Sequence, residues 1–267
     1  MLALTFSMGL AAQALYVKGF TKMTYLPYHI EGAERSGRWL VTCDHAANTV
    51  PKAVNGGDLG LPAQDMGRHI AYDIGAAEVT RLLAEKLNSP AILSNFSRLV
   101  IDPNRGEDDP TLLMKLYDGT IIPANAQADA GERERRLNLC YRPYHGAYAQ
   151  LAARPGSLIL SIHSFTPQLR ARPPRPWQIG VLYAHDARLA LPLMKRLRAE
   201  PDLTVGDNEP YVGHLPGDAL DQHALRAGRP NVLIELRNDL IEDTAGQHLW
   251  ADRLAPILDA TLADSQL

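Results

Sequence analysis

Two of the four polar clusters in this 267-residue chain contain a histidine at the end of an apolar run. His45 follows residues 39–43, and His163 follows residues 158–162. Both runs have the continuous apolar pattern of a strand that is buried on both faces. Histidines at strand ends can meet at one site, and neutral imidazole is a preferred ligand of zinc. The two clusters together predict a zinc site that contains His45 and His163.

A catalytic zinc site needs a third protein ligand and one open position for water, whose pKa the metal lowers toward ~7. Asp73 is the first candidate, because the apolar spacing of residues 69–87 predicts a helix with Asp73 in its early turns. His69 lies four residues before Asp73 and would share its helical face. Asn48, Asp44 and His69 remain alternatives for the third ligand.

The third cluster combines two arginines with an amide and follows a predicted strand over residues 99–101. A guanidinium group can hold a carboxylate through two parallel hydrogen bonds, and a second one can stabilise a developing oxyanion. Arg98, Asn104 and Arg105 therefore suit an acidic substrate. The alternative is that Asp102 pairs with one of the arginines and only holds the loop together.

The fourth cluster places Glu235 in an apolar run over residues 231–236. An ionised carboxylate is costly inside a strand unless a partner or a metal lies nearby. Glu235 is therefore predicted to be a general base, which takes a proton from water and gives one to the leaving amine. An ion pair with Arg237, on the same strand face, is the alternative.

The remaining apolar runs predict strands and helices that alternate along the chain. Strands are expected over residues 91–93, 157–162, 178–183 and 231–236, and helices over residues 132–152, 187–199 and 245–262. This alternation predicts an α/β protein, a three-layer αβα sandwich around a mixed, largely parallel sheet. Ligands of such a sheet collect at the carboxyl ends of its strands.

The composition excludes several classes of protein. A hydrophobic fraction of 46% and a charged fraction of 21% are typical of a folded globular protein. A net charge of -3 leaves no basic excess for a nucleic-acid partner. Two distant cysteines, Cys43 and Cys140, form no disulfide framework and favour the reducing cytoplasm.

The first residues of the chain differ in character from the rest. Residues 1–17 are uncharged, but their apolar run is shorter than a membrane span and no basic segment precedes it as in a signal peptide. Residues 1–22 are therefore predicted to be an extension or a mis-assigned start before Met23. Residues 23–267 are predicted to form a single domain, since no linker or repeat interrupts them.

Taken in order, these clusters resemble the motifs of the N-formylglutamate amidohydrolase family. The matching segments are Asp44-His-Ala-Ala-Asn48, Ser97-Arg-Leu-Val-Ile-Asp-Pro-Asn-Arg105, Ser161-Ile-His-Ser-Phe-Thr-Pro167 and Ile234-Glu-Leu-Arg237. The resemblance runs from about residue 39 to residue 241, and the ordered series is more specific than any single piece. It implies a fold and a site similar to those of zinc carboxypeptidases and aspartoacylase-type deacylases.

The resemblance also implies a role for each matching residue. The implied roles are zinc ligation by His45 and His163, a carboxylate clamp of Asn104 and Arg105, oxyanion stabilisation by Arg98 and general-base action by Glu235. One position departs from the pattern. The carboxypeptidase-like motif has a Glu three residues after its first His, where this chain has Asn48, so the third metal ligand stays open.

These features predict a metal-dependent amidohydrolase with one divalent ion, expected to be zinc, although cobalt and manganese also suit such ligands. Attack of a zinc-bound water would cleave a small N-acyl group, such as formyl, from an acidic amino acid such as glutamate. A zinc peptidase or a deacylase of other N-acyl amino acids or peptidoglycan-like fragments is the enzymatic alternative. A non-catalytic protein that binds metal or carboxylate is the alternative from outside the enzymes. The expected partner is a small molecule, with no role for nucleic acid or a membrane.

Further polar and aromatic residues are candidates to line the substrate pocket. Tyr144 and Arg175 are predicted to bind substrate. Secondary candidates are His145, Trp177, Glu209, Tyr211 and His223. Ordinary packing is the alternative for each of them, and especially for the aromatic side chains.

Overall fold

A seven-stranded mixed sheet forms the centre of the protein. The computed structural model describes residues 25–265 and residue 267. The strands of the sheet are β1 (Tyr28–Glu31), β2 (Trp39–Cys43), β3 (Ala91–Ser94), β6 (Leu158–Phe165), β7 (Ile179–Leu182), β8 (Val205–Asp207) and β9 (Asn231–Arg237). Two short strands, β4 (Leu116–Tyr117) and β5 (Thr120–Ile121), pair with each other outside this sheet.

Helices and tight turns connect the strands. The helices are α1 (Ala63–Met66), α2 (Ala76–Lys86), α3 (Pro123–Ala126), α4 (Ala130–Arg136), α5 (Arg142–Ala152), α6 (Ala190–Leu197), α7 (Ala219–His223) and α8 (Thr244–Asp264). A π-turn over Leu137–Tyr141 joins α4 to α5, so the helix predicted over residues 132–152 is present as three helical segments in sequence. Shorter 3₁₀ turns cover Asn55–Gly57, Leu225–Ala227 and Asn238–Leu240.

The strand order brings the predicted catalytic strands together in the middle of the sheet. The order is β1-β3-β2-β6-β9-β7-β8. Strands β3, β2, β6 and β9 are parallel neighbours, whereas β1 is antiparallel to β3 and β7 is antiparallel to β9. The register of β6 and β9 sets His163 opposite Glu235. The carboxyl ends of β2, β6 and β9 therefore lie at one edge, as the parallel pattern requires.

Two apolar clusters pack on the two faces of the sheet. Ile162 and Ile234 point to one face, where they join the buried side chains of α2, α6 and α8. Ile159 and Leu233 point to the other, toward α5, α7 and the buried loop residues between β2 and α2. Helices on both faces of a mixed, largely parallel sheet confirm the predicted α/β three-layer sandwich.

The helix predicted over residues 69–87 is wrong at its beginning, because α2 begins only at Ala76. Gly75 has a left-handed φ of 78°, which an α-helix cannot contain, and a Cβ there would lie 2.0 Å from the carbonyl oxygen of Ile241. The segment before Gly75 instead forms a hydrogen bond with the loop after β2, because the amide of Asp73 donates to the carbonyl of His45 at 3.0 Å. Asp73 is thus fixed beside His45 by a turn.

The strand predicted over residues 99–101 is also wrong. These apolar residues are fully buried, but they form a turn in which the amide of Val100 donates to the carbonyl of Ser97 at 2.9 Å. The side chain of Arg136 donates to the carbonyl of Val100 at 2.8 Å. A side chain, and not a neighbouring strand, thereby satisfies this buried backbone group.

Sequence patterns missed the shortest elements, namely β1, β8 and the β4–β5 hairpin, whose exposed or mixed residues give no clear period. The predicted N-terminal extension over residues 1–22 lies outside the described residues. The single domain over residues 23–267 stays a prediction. In the described part of the chain, no helix has the length and hydropathy needed to cross a membrane.

Candidate active site

A cavity of about 370 Å³ opens at the carboxyl edge of the central strands. Seven of the nine residues that were assigned a metal-binding, catalytic or substrate-binding role line it, namely His45, Asp73, Arg98, Asn104, Arg105, His163 and Glu235. Two of these side chains come directly from strands β6 and β9, and the others come from the loops that follow strands or precede α2. Rigid strands and short loops therefore bring together groups that are far apart in the sequence.

Three buried side chains point donor atoms at one another inside this cavity. His45, Asp73 and His163 each offer one potential metal-binding atom, and these atoms all lie within 4.8 Å of one another. Asp73 Oδ2 lies 2.8 Å from His163 Nδ1 and 3.3 Å from His45 Nδ1. All three residues are at most 3% exposed, so the cluster is shielded from bulk water.

The outer nitrogens of both imidazoles face carboxylates. His45 Nε2 lies 2.7 Å from Asp102 Oδ1, and His163 Nε2 lies 3.3 Å from Asp44 Oδ2. Tyr144 in turn donates to Asp44 Oδ1 at 2.6 Å. His163 Nε2 also lies 3.1 Å from Ser161 Oγ. In a neutral imidazole ring, an acceptor at Nε2 keeps the proton on that nitrogen, so that the Nδ1 lone pair is available to a cation. Metal-binding histidines in proteins are oriented in this way.

The charges of the cluster stabilise one another. Burial acts to raise the pKa of Asp73, but the adjacent His45 and His163 hold it well below its ordinary value. Burial acts to lower the pKa of His163, but hydrogen bonds from the ring to Asp44 and Asp73 hold it well above the ordinary value. The cavity therefore contains a buried carboxylate that favours cationic neighbours.

The donor set of the cluster fits a divalent metal of the zinc type. Two imidazole nitrogens and one carboxylate oxygen converge, which is the three-ligand set of several catalytic zinc sites. The alternatives for the third ligand each have another partner. Asn48 donates to the carbonyl of Met66 at 2.9 Å, and Asp44 lies behind His163. His69 lines the cavity, where its Nε2 lies 3.4 Å from Asp118.

Glu235 reaches the cavity from β9, beside His163 on β6. Its side chain is buried, and among the described residues its Oε2 atom has no hydrogen-bond partner. Arg237, the ion-pair alternative, binds Asp239 at 2.8 Å. Burial raises the pKa of Glu235 to about 8, although His163 acts in the opposite direction. A carboxyl group with a pKa near neutrality can both accept and return a proton.

Arg98 is held between two carboxylates at the cavity wall. Its Nη2 atom donates to Asp102 at 2.8 Å, and its Nη1 atom lies 3.5 Å from Asp73. The guanidinium also lies over the ring of Tyr117, 5.4 Å from the ring centroid. The predicted loop contact between Asp102 and an arginine is therefore present, and the same arginine still lines the cavity.

Asn104 and Arg105 follow Asp102 on one loop and line the cavity together. Arg105 donates to Thr111 Oγ1 at 3.1 Å and to the carbonyl of Asn104 at 2.7 Å. No carboxylate of the described residues lies within ion-pair distance of its guanidinium. Arg105 thus carries a charge in the cavity wall that a substrate carboxylate can neutralise.

The two other predicted substrate-binding residues do not line the cavity. Tyr144 is fully buried beneath it, on Asp44. Arg175 lies one layer behind the wall, where it donates to the carbonyl of Thr166 at 3.0 Å and to the Tyr211 hydroxyl at 3.2 Å. Of the secondary candidates only Tyr211 lines the cavity.

Several cavity residues were missed by sequence reasoning because they are apolar or lie in a loop without periodicity. Leu182 and Leu233 face each other on neighbouring strands, and Leu215 joins them from the segment before α7. Val212, in the same segment, is 66% exposed at the cavity. Apolar residues give no chemical signal in a sequence, so only their spatial position marks them.

Comparisons with known proteins identify the family of the chain. Residues 37–242 match the sequence profile of the N-formylglutamate amidohydrolase family. A gene product of Agrobacterium tumefaciens of known structure is 34% identical, with 90% of this chain and 96% of that chain covered and a TM-score of 0.82.

A second solved structure is an N-formylglutamate amidohydrolase from Ralstonia eutropha, 21% identical, with 90% of this chain and 97% of that chain covered and a TM-score of 0.52, which is a likeness of fold. A search of curated protein sequences gave no match. Because the profile spans every cluster that lines the cavity, the chain belongs to the N-formylglutamate amidohydrolase family.

Proposed function

We propose that this protein is a metal-dependent amidohydrolase that removes a small N-acyl group from an amino acid, with N-formylglutamate as the leading substrate. Family membership makes the chain a hydrolase of an amide bond. The observation that carries the metal dependence is the convergence of His45, Asp73 and His163 within 4.8 Å. The acceptors behind both histidines support it, since in the neutral rings they hold the proton on Nε2 and leave Nδ1 to a cation.

In this proposal His45, Asp73 and His163 hold one divalent cation, expected to be zinc. A cation of this kind acts as a Lewis acid, which polarises the amide carbonyl and lowers the pKa of a coordinated water. The buried surroundings strengthen every such interaction, because little water screens the charges.

Glu235 is the proposed proton carrier. It faces His163 across the β6–β9 ladder, so it lies beside the proposed metal ligands. It takes a proton from the attacking water and returns it to the nitrogen of the leaving amine. Its free Oε2 atom supports this role, because no described neighbour competes for it.

Arg98, Asn104 and Arg105 are the proposed substrate contacts. Arg98 stabilises the negative charge that develops on the amide oxygen, since Asp102 and Asp73 fix its guanidinium at the wall. Arg105 and Asn104 hold the carboxylate of the amino acid, which orients the scissile amide toward Glu235. Arg175, which donates to the hydroxyl of the cavity residue Tyr211, stays a candidate contact for a second carboxylate.

The apolar part of the cavity favours a second candidate function, deacylation of N-acyl amino acids that are more apolar than N-formylglutamate. Leu182, Leu215 and Leu233 line a cavity of about 370 Å³, which exceeds the needs of a formyl group. Apolar walls of this kind select bulkier groups by the surface they bury.

Metal analysis and a substrate panel test both candidates. Purified protein should bind one equivalent of zinc after repletion, and chelation should abolish turnover of N-formyl-L-glutamate. Faster turnover of N-acetyl- or N-formyl-leucine than of N-formyl-L-glutamate would support the second function. Protein that binds no metal and cleaves none of these amides would contradict both proposed functions. That result would favour a non-catalytic binding protein.

A further inference from the structure

A pair of buried histidines lies beside the cavity but takes no part in the proposed reaction. His145 Nδ1 and His223 Nε2 are 2.8 Å apart, and the two rings are stacked with their centroids 5.1 Å apart. Each residue is 7% exposed, and neither lines the cavity. His145 belongs to α5 and His223 to α7, so the pair joins two helices on one face of the sheet.

The hydrogen bonds of the pair determine where its protons lie. His145 Nε2 lies 3.0 Å from the carbonyl oxygen of Pro103, which only accepts, so this nitrogen carries the proton. A neutral imidazole has one N–H group, and His145 Nδ1 therefore accepts from His223 Nε2. Burial lowers the pKa of His145 to about 4 and that of His223 to about 3, so both rings are neutral near pH 7.

This chain of hydrogen bonds ends on the loop that carries the proposed carboxylate clamp. Pro103 directly precedes Asn104 and Arg105. The same two helical regions hold the rest of the loop. The Tyr141 hydroxyl, just before α5, donates to the carbonyl of Arg105 at 2.6 Å, and the amide of Ala219, the first residue of α7, donates to Asn104 Oδ1 at 3.2 Å.

We propose that His145 and His223 are positioning residues for the substrate carboxylate, which act by holding the Pro103 carbonyl and by joining the two helices that fix Arg105. This inference rests on the proposed function, because the clamp is defined by it. The pair lies outside the cavity, so its loss should weaken substrate binding and leave the proton transfer at Glu235 largely intact.

The experiment compares kcat and KM for N-formyl-L-glutamate across variants of the zinc-loaded protein. His145→Phe keeps an aromatic ring against Tyr141, whose centroid lies 4.2 Å away, but removes both hydrogen bonds. We expect KM to rise about tenfold and kcat to fall less than about threefold, with the metal content unchanged. His145→Gln can donate an amide N–H to Pro103, and it should recover part of the lost affinity.

Tyr148→Phe is the matched control. It lies on the same helix and its ring stacks on His223, with the centroids 4.1 Å apart, but its hydroxyl faces Thr42 Oγ1 at 3.4 Å, away from the clamp. Its KM should equal that of the wild type. Tyr141→Phe guards against misfolding of the histidine variant, because it removes one hydrogen bond to the same loop and should also raise KM severalfold.

An unchanged KM in His145→Phe, or a loss confined to kcat, overturns the positioning role and leaves the proposed function standing. If the wild type cleaves no N-acyl amino acid, the proposed function fails and the dissociation constant of N-formyl-L-glutamate, measured by calorimetry, replaces KM in the test. A larger dissociation constant in His145→Phe than in the wild type then supports the positioning role. Equal constants, or no binding by the wild type, overturn it.

Discussion

The two faces of strands β6 and β9 have opposite characters although their residues alternate along the same backbone. Ile162 and Ile234 point to the α2, α6 and α8 face, where they are fully buried among apolar side chains. Their neighbours His163 and Glu235 point to the other face and reach the cavity. At the carboxyl ends of these strands one face is apolar and the other carries the chemistry, because the period of two in a strand sends neighbouring side chains to opposite faces.

The chemical face carries a cost that the apolar face does not. Buried polar groups are tolerated where partners satisfy them, and the bond between His163 and Asp73 is of this kind. Among the described residues, Glu235 Oε2 has no hydrogen-bond partner, and Asp44 Oδ2 behind His163 has none either. A buried, unsatisfied carboxylate is expected where function, and not stability, maintains the residue.

Substitutions of two neighbouring residues of β9, one on each face, should have opposite consequences. Glu235→Gln should lower kcat by about a hundredfold to ten-thousandfold, because the proton carrier is lost, while the zinc content stays at one equivalent. Ile234→Val, on the other face, should cost about 1 kcal/mol of unfolding free energy and keep kcat. Steady-state kinetics and metal analysis check both variants. A normal kcat in Glu235→Gln would contradict the proposed mechanism.

A cavity on the apolar face should have the converse effect. Leu254, in α8, is fully buried in the cluster on that face, and Leu254→Ala should lower the unfolding free energy by about 2–5 kcal/mol. Below its melting temperature the variant should keep the wild-type kcat/KM. Urea unfolding and kinetics at 20 °C measure the two quantities. A parallel loss of kcat/KM would mean that the faces are coupled.

The carboxylate behind His45 should influence the metal more than the fold. Asp102→Asn weakens the acceptor of the His45 Nε2 proton, and zinc affinity should fall about tenfold to a hundredfold. Competition with a chromophoric chelator measures this affinity. Asp243→Asn is the control, since Asp243 caps α8 by accepting from the amide of Gly246 at 2.8 Å and Asn caps equally well. Equal zinc affinities in the two variants would show that Asp102 does not support zinc binding through His45.

The smallest expected effect concerns pH and the histidine pair. The pKa values of His145 and His223 are lowered by burial, so below about pH 6.5 the unfolded chain binds protons that the folded chain does not. The unfolding free energy should therefore fall as the pH drops from 7 to 5, by at most about 2 kcal/mol per histidine. His145→Phe should show a shallower fall than Tyr148→Phe in urea titrations at pH 7 and pH 5. Equal slopes would refute the linkage.

Sequence patterns predicted the central strands well because their residues are apolar on both sides. Residues 39–43 became β2 without change, and the run over residues 231–236 became β9. The apolar run over residues 99–101 gave a wrong strand, because full burial there arises in a turn. Burial dictates apolar character, and the turn is dictated by partners such as Arg136 that lie far away in the chain.

The predicted site residues show a similar division. Histidine, arginine and carboxylate side chains at apolar run ends marked the groups that line the cavity. Tyr144 and Arg175 were marked by the same reasoning, but one lies beneath the cavity and the other behind its wall. Residue type shows what a side chain can do, and the direction in which it points depends on its packing.

The sequence by itself determined the chemical inventory, the central strands and the family, because strand periodicity and motif order are local properties of the chain. Only the tertiary structure decided that Asp73 faces both histidines, that Arg237 binds Asp239 and leaves Glu235 free, and that a histidine pair holds the clamp loop. The first and third of these relations join residues that are distant in sequence, and the second is a choice between two carboxylates that lie equally near in sequence. Packing fixes them, because burial forces each polar group to find a partner wherever the fold brings one near.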